Sequence, residues 1–286
     1  LILKDSFCNI MSFAFVNGIN ISYDVKGSGF PILFIHGFGS KKEIWKPQLT
    51  ELSKKYKTIT YDIRGTGKTD RPNYLYTMDM FVEDMKGLLN KFAIESMHLV
   101  GRSFGGMIAQ NFVLKYPDIV KKLVLIATNA KFDEEAAVEI AVRNRIKEIE
   151  LIKNDPVKAF WKKSMFIYHQ RFRQELRQNP KRKFHNAFSL KDLIKQSTNN
   201  PSTAQDIINQ GNAMKMHNVF DHIDKIKNKI LLISASHDRL IPKSSMIEMN
   251  KRLPNSRLEI IEKAGHFMTV SRASEVNKLI LDFFDE

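Results

Sequence analysis

Ser103 stands between two glycines in the stretch HLVGRSFGG, residues 98–106, directly after an apolar run. A serine hydroxyl becomes a nucleophile only when a base takes its proton and a third group orients that base. The pentapeptide G-x-S-x-G arises by chance in about one chain in ten of this length at ordinary glycine and serine frequencies. It decides nothing alone; the test is whether the rest of the chain supplies an acid, a base and donors for a developing oxyanion. Two later stretches qualify. ILLISASHDRLIP (230–242) follows a buried-strand pattern with Asp238, and IIEKAGHFMTV (260–270) sets His266 in a loop after the next apolar run. The Phe104 N–H, at the start of a helix with its positive dipole end, is the first candidate oxyanion donor. LFIHGFGS (33–40) offers a second strand-end loop, with the Phe38 N–H as the other donor. His36 in that loop reads as shaping it through hydrogen bonds. His98, His237, Asp221 and Asp224 fit surface or strand-end roles, and Asp62 precedes the strand of Ser103.

Such residues need a scaffold that brings distant strand ends together. Apolar β-rich runs recur at 30–37, 56–62, 97–102, 121–128, 228–236 and 256–263, nearly continuous in Val, Ile and Leu. That composition marks strands buried on both faces, as in a parallel sheet. Helical spacing fills 78–92 and 103–116, the second stopping before Pro117. Strands alternating with helices predict a doubly wound α/β sheet, whose sites lie at the C-terminal strand ends. Residues 13–29 read as a hairpin around Asn17-Gly18, an antiparallel edge with a type I′ turn. Between Lys131 and about Asn218 the alternation stops and helical, charged and aromatic stretches take over, too long for a loop. The expected organisation is therefore a leader over residues 1–10 outside the fold, a core from 11–130 and 219–286, and an inserted helical subdomain over 131–218.

The 286 residues allow a substantial core, and 43% hydrophobic with 27% charged residues fits neither a disordered chain nor a membrane protein. No apolar run approaches the roughly 18 residues of a spanning helix. Cys8 is the single cysteine, so no intrachain disulfide and no thiolate metal site can form. With no cleavage site after the apolar opening, a cytoplasmic protein is expected, and Met11 is a candidate start. The net charge is +14, and much of it lies between Leu151 and Lys195, where twelve Lys and Arg face three carboxylates. That excess reads as a solvated basic face; no nucleic-acid motif accompanies it, and no nucleic-acid binding is expected. Oligomeric state has no sequence signature here.

The motifs HGFGS, YDIRGTGKTD, GRSFGG, SHDRLIP and AGHF occur in that order, and the chain resembles an α/β-hydrolase of the esterase, enol-lactonase and C–C hydrolase superfamily from about Met11 to Phe284. GGMIAQNFVLKYPDIVKKLVLIATNAKF is similar to the enol-lactonase and carboxylesterase branch. The resemblance implies the α/β-hydrolase fold: a mostly parallel central sheet, an antiparallel N-terminal hairpin and an inserted helical cap after the sixth strand. The order Ser103, Asp238, His266 is that of this family and differs from the two protease orders. Thr66 and Thr69 depart from the common residues of a structural turn. Arg102 is an unusual residue ahead of the nucleophile; it reads either as a buried partner for a carboxylate such as Asp62 or as a bias toward anionic substrates.

The implied reaction is acyl transfer to water. His266 takes the Ser103 proton, Asp238 orients the imidazole, and the Phe38 and Phe104 amides hold the oxyanion. No metal or organic cofactor is implied, because the histidines do not cluster at metal-ligand spacing. Trp45, Phe160, Trp161, Phe166, Tyr168 and Phe172 are candidates to line an apolar pocket for a small-molecule ester, or equally to pack the cap onto the core. An enol-lactonase or C–C hydrolase would share the triad, and a slow-turnover ligand sensor is the alternative of another class.

Overall fold

The computed structural model describes residues 12–132 and 134–286; the expected leader, Cys8 and Met11 lie outside them. Eight strands form one sheet: β1 (Ser12–Val16), β2 (Ile19–Lys26), β3 (Pro31–Ile35), β4 (Lys57–Tyr61), β5 (Met97–Arg102), β6 (Val120–Ile126), β7 (Lys229–Ala235) and β8 (Ser256–Ile261). Their order is β1-β2-β4-β3-β5-β6-β7-β8. β1 and β2 pair antiparallel with each other and β2 with β4, while every pair from β4 to β8 is parallel. The hairpin turns through Asn17 (φ 48) and Gly18 (φ 77), the two left-handed residues a type I′ turn requires.

Strand periodicity explains why the sheet is buried on both faces. Leu33 and Ile35 of β3, Leu123 and Leu125 of β6, and Ile230 and Leu232 of β7 enter one core; Ile32, Phe34, Val124, Ile126, Leu231 and Ile233 enter the other. The first core is completed by α2 (Met78–Lys91), α3 (Phe104–Lys115) and α9 (Lys243–Arg252). The second takes residues of α1 (Lys46–Leu52), the short α10 (Met268–Ser271) and α11 (Ala273–Asp285). These are the layers of an α/β-hydrolase fold.

Between β6 and β7 the described residues form five α-helices, α4 (Glu135–Asn154), α5 (Pro156–Ile167), α6 (Gln170–Gln178), α7 (Leu190–Thr198) and α8 (Ala204–Lys215), and a 3-10 helix Phe220–Lys225. It leaves and re-enters the core side by side, at an isolated bridge between Lys131 and Asn218 and a Val219 N–H to Ala130 O bond of 2.9 Å. No helix among the described residues is long and apolar enough to cross a membrane.

Candidate active site

The strand order places β3 and β5 side by side although β4 lies between them in the chain. This reversal opens a crevice at their carboxyl ends, and both the Ser103 turn and the 36–40 loop open there. Ser103 adopts φ 55 and ψ −123 between β5 and α3, a conformation that costs a non-glycine residue about 1–3 kcal/mol. Its N–H bonds Ile126 O at 2.9 Å, and its carbonyl receives Gly106 N–H at 2.8 Å and Thr128 Oγ1 at 2.8 Å. The turn is thus pinned from two neighbouring elements. Gly105 is required by close approach: a Cβ there would overlap the carbonyl oxygens of Ile35 and His36.

The 36–40 loop runs against the serine, with the Cβ position of Gly37 only 3.1 Å from Ser103 Cβ. Ser40 N–H returns to Gly37 O at 3.1 Å, and Gly39 N–H goes to Gln210 Oε1 at 3.1 Å; among the described residues the Phe38 amide between them, like that of Gly37, has no such partner. Phe104, as the first residue of α3, has an amide without an intrahelical partner. The two phenyl rings pack edge to face at 6.3 Å. His36 is fully buried beneath them; its Nδ1 lies 2.9 Å from Gly37 O, and its Nε2 receives Ile63 N–H at 3.3 Å. Burial lowers its pKa to about 4, so it is a neutral structural group.

Asp238 follows β7 and His266 follows β8. The carboxylate divides its oxygens: Oδ1 accepts Leu240 N–H at 2.8 Å and Ile241 N–H at 2.9 Å, while Oδ2 lies 2.8 Å from His266 Nδ1. The Asp238 side chain has no exposed surface and that of His266 is 4% exposed. The histidine loop meets β5 through chain neighbours, because the guanidinium of Arg102 lies 4.0 Å over the ring of Phe267. Phe267 N–H in turn bonds Ile167 O at the end of α5 at 3.0 Å.

The aromatic candidates separate. Trp45 is fully buried against Phe34 at 5.1 Å, and Phe160 and Phe172 are buried in the same core cluster. Trp161 is half-buried beneath Arg177, and Phe166 is exposed on the surface. Tyr168 borders the site, edge to face with Phe267 at 6.0 Å. His98 stacks on Phe284 at 4.1 Å, and Asp221 faces Arg252. Among the described residues no group of three His, Cys, Asp or Glu side chains is placed to hold a metal ion.

The sequence did not reveal the groups that α4, α5 and α8 bring to this crevice. Arg145 Nη2 donates to Gly39 O at 2.6 Å, and Gln210 bridges Gly39 N–H and Arg64 O, so both backbone polar groups of Gly39 are gripped by helices between β6 and β7. Glu148 pairs with Arg145 at 2.5 Å and Lys163 at 3.0 Å. Lys163 also lies over the Phe267 ring, at 5.9 Å. Burial lowers its amine to about 8, with Arg145 acting in the same direction. Arg102 is not a partner of Asp62: the Asp62 oxygens accept Lys42 N–H at 2.8 Å and Lys68 N–H at 3.0 Å, with Lys42 Nζ at 3.5 Å.

The family model of the α/β-hydrolase fold matches residues 31–273. A putative carbamate hydrolase of Azorhizobium caulinodans is 24% identical over 276 residues, covering 96% of this chain and 99% of its own. Among solved structures, a thermophilic esterase from Thermogutta terrifontis superposes with a TM-score of 0.79 at 22% identity, over 96% of this chain and 97% of its own. An enol-lactonase from Burkholderia xenovorans gives 0.80 at 19% identity, over 96% and 100%.

Proposed function

Because the chain belongs to the α/β-hydrolase fold family, we propose that it is a serine hydrolase cleaving carboxylic esters through an acyl-enzyme on Ser103. The observation that carries this reading is the backbone of Ser103, held at φ 55 and ψ −123 on a turn between β5 and α3. Strain of that kind, at a helix start and held by the surrounding bonds, supports a role in chemistry.

His266 Nδ1–H donates to Asp238, which leaves Nε2 as the atom that takes the Ser103 proton during attack on the acyl carbon. The Phe38 and Phe104 amides receive the resulting oxyanion. Collapse expels the alcohol, protonated by His266; water, activated by the same imidazole, then attacks the acyl-enzyme and releases the acid. Helices α4–α8 act as the cap over residues 131–218, with Tyr168 packed on Phe267 next to His266.

Hydrolysis of p-nitrophenyl esters from acetate to palmitate, with Ser103→Ala beside the wild type, tests the proposal. Activity that vanishes in the variant supports it, and activity that survives refutes it. Wild-type inactivity toward the series with a reactive Ser103 moves the assignment to enol-lactone or C–C substrates.

A further inference from the structure

Arg102 ends β5 and immediately precedes Ser103. It is 1% exposed, and among the described residues its guanidinium makes no ion pair; Nε and Nη1 have no hydrogen-bond partner. Stacking on Phe267 covers the face of the cation and stabilises it, but the donors lie in the guanidinium plane and are left unsatisfied. Nη2 lies 3.3 Å from the Cβ position of Gly37, the same point that stands 3.1 Å from Ser103 Cβ. The cation and the serine therefore both pack against Gly37.

The nearby charges do not cancel it. Glu148 is already shared between Arg145 and Lys163, and Asp238 is committed to His266 and two backbone amides. A buried cation without a carboxylate is destabilising, and an apolar side chain of similar length would fill the space at lower cost. Burial lowers the Arg102 pKa to about 10, so the group stays charged at neutral pH. Planar donors beside a nucleophile suit a planar oxyanion, which a guanidinium binds through paired hydrogen bonds.

We propose that the substrate of this site carries a carboxylate a few carbons from the scissile carbonyl, as in a half-ester of a short dicarboxylic acid, and that Arg102 binds it with Lys163 adding to the field. This rests on Ser103 being the nucleophile.

The test compares monoethyl glutarate with ethyl valerate, following proton release, in the wild type, Arg102→Met and Arg102→Lys. In parallel, glutarate and uncharged glutaramide are tried as protectants of Ser103 against a neutral fluorophosphonate, which needs no turnover. The wild type is expected to favour the anionic ester in kcat/KM by about 10- to 100-fold, as one or two charge-assisted hydrogen bonds allow. Arg102→Met abolishes that ratio, Arg102→Lys keeps part of it, and glutarate alone slows labelling of the wild type but not of Arg102→Met. Methionine replaces an unpaired buried charge by a flexible apolar chain, so this variant is expected to fold; thermal unfolding checks it. A wild-type ratio near one, a ratio unchanged in Arg102→Met, or labelling unaffected by glutarate overturns the proposal. Failure of the fluorophosphonate to label folded wild type instead sinks the nucleophile reading, and this inference with it.

Discussion

Replacing Asp238 by asparagine exchanges one carboxylate oxygen for NH2 and asks whether that carboxylate sets the proton on the right side of His266. In the native site Oδ1 accepts two backbone N–H groups at 2.8 and 2.9 Å, and Oδ2 faces Nδ1 of the imidazole at 2.8 Å. An asparagine has one acceptor oxygen. Aiming its NH2 at the Leu240 and Ile241 amides would forfeit both bonds, so the oxygen stays there and the NH2 turns to His266. Two donors cannot share Nδ1, so the ring must put its proton on Nε2, the atom the mechanism needs free. The geometry survives while the tautomer is wrong. The expected loss in kcat is about ten-thousand-fold, or about 5 kcal/mol of barrier, while stability changes by about 1–2 kcal/mol because the backbone anchors remain. Steady-state ester hydrolysis with urea denaturation on the same preparations reads both. A variant that keeps kcat within about tenfold of wild type while folded refutes the reasoning.

Three other expectations follow from neighbouring groups. Gln210→Leu strips Gly39 N–H and Arg64 O of their partner and frees the loop that carries the Phe38 amide; kcat should fall by about a hundredfold with KM little changed, and an unaltered kcat contradicts the clamp. Burial alone would raise the Glu148 carboxyl, but Lys163 and then Arg145 overcome it and hold it at about 2. A depressed carboxylate stabilises the fold above its ordinary value and loses that contribution as pH falls, so the stability of wild type relative to Glu148→Gln should shrink by about 2 kcal/mol between pH 5 and 3; a constant difference in urea titrations contradicts it. Arg64 grips Asp84 with two bonds of 2.7 and 2.6 Å in the core. Arg64→Met should cost about 3–5 kcal/mol, and the double replacement Arg64→Met with Asp84→Leu should recover most of it, as denaturation midpoints would show.

The parts legible in the sequence are those whose signals are local. Runs of Val, Ile and Leu found β3 to β7 because both faces of those strands are buried, whereas β8, expected to be buried likewise, is an edge strand with only Ile261 buried; Asn17-Gly18 found the hairpin because few other pairs tolerate two left-handed residues. Ser103, Asp238 and His266 stood out because each follows a strand pattern at its end. The five inserted helices were legible as helical material but not one by one. The signals existed for two of them: Ser189 with Asp192 and Thr203 with Asp206 form capping boxes at the starts of α7 and α8. Arg145 and Gln210 left no such trace. Their partner Gly39 is 106 and 171 residues away, and only the folded insertion brings them to it. For Trp45 the sequence allows either a pocket wall or packing, and the 3-10 turn Lys42–Trp45 rotates it into the core against Phe34.

Everything proposed for this site depends on Ser103 being an activated nucleophile. The most direct measurement is the intact mass of the folded protein after exposure to a fluorophosphonate, followed by mapping of the modified peptide, with Ser103→Ala and Asp238→Asn alongside. A single adduct on Ser103 is expected in the wild type, none in Ser103→Ala, and greatly slowed labelling in Asp238→Asn. An unmodified wild type, or an adduct on another residue, would contradict it.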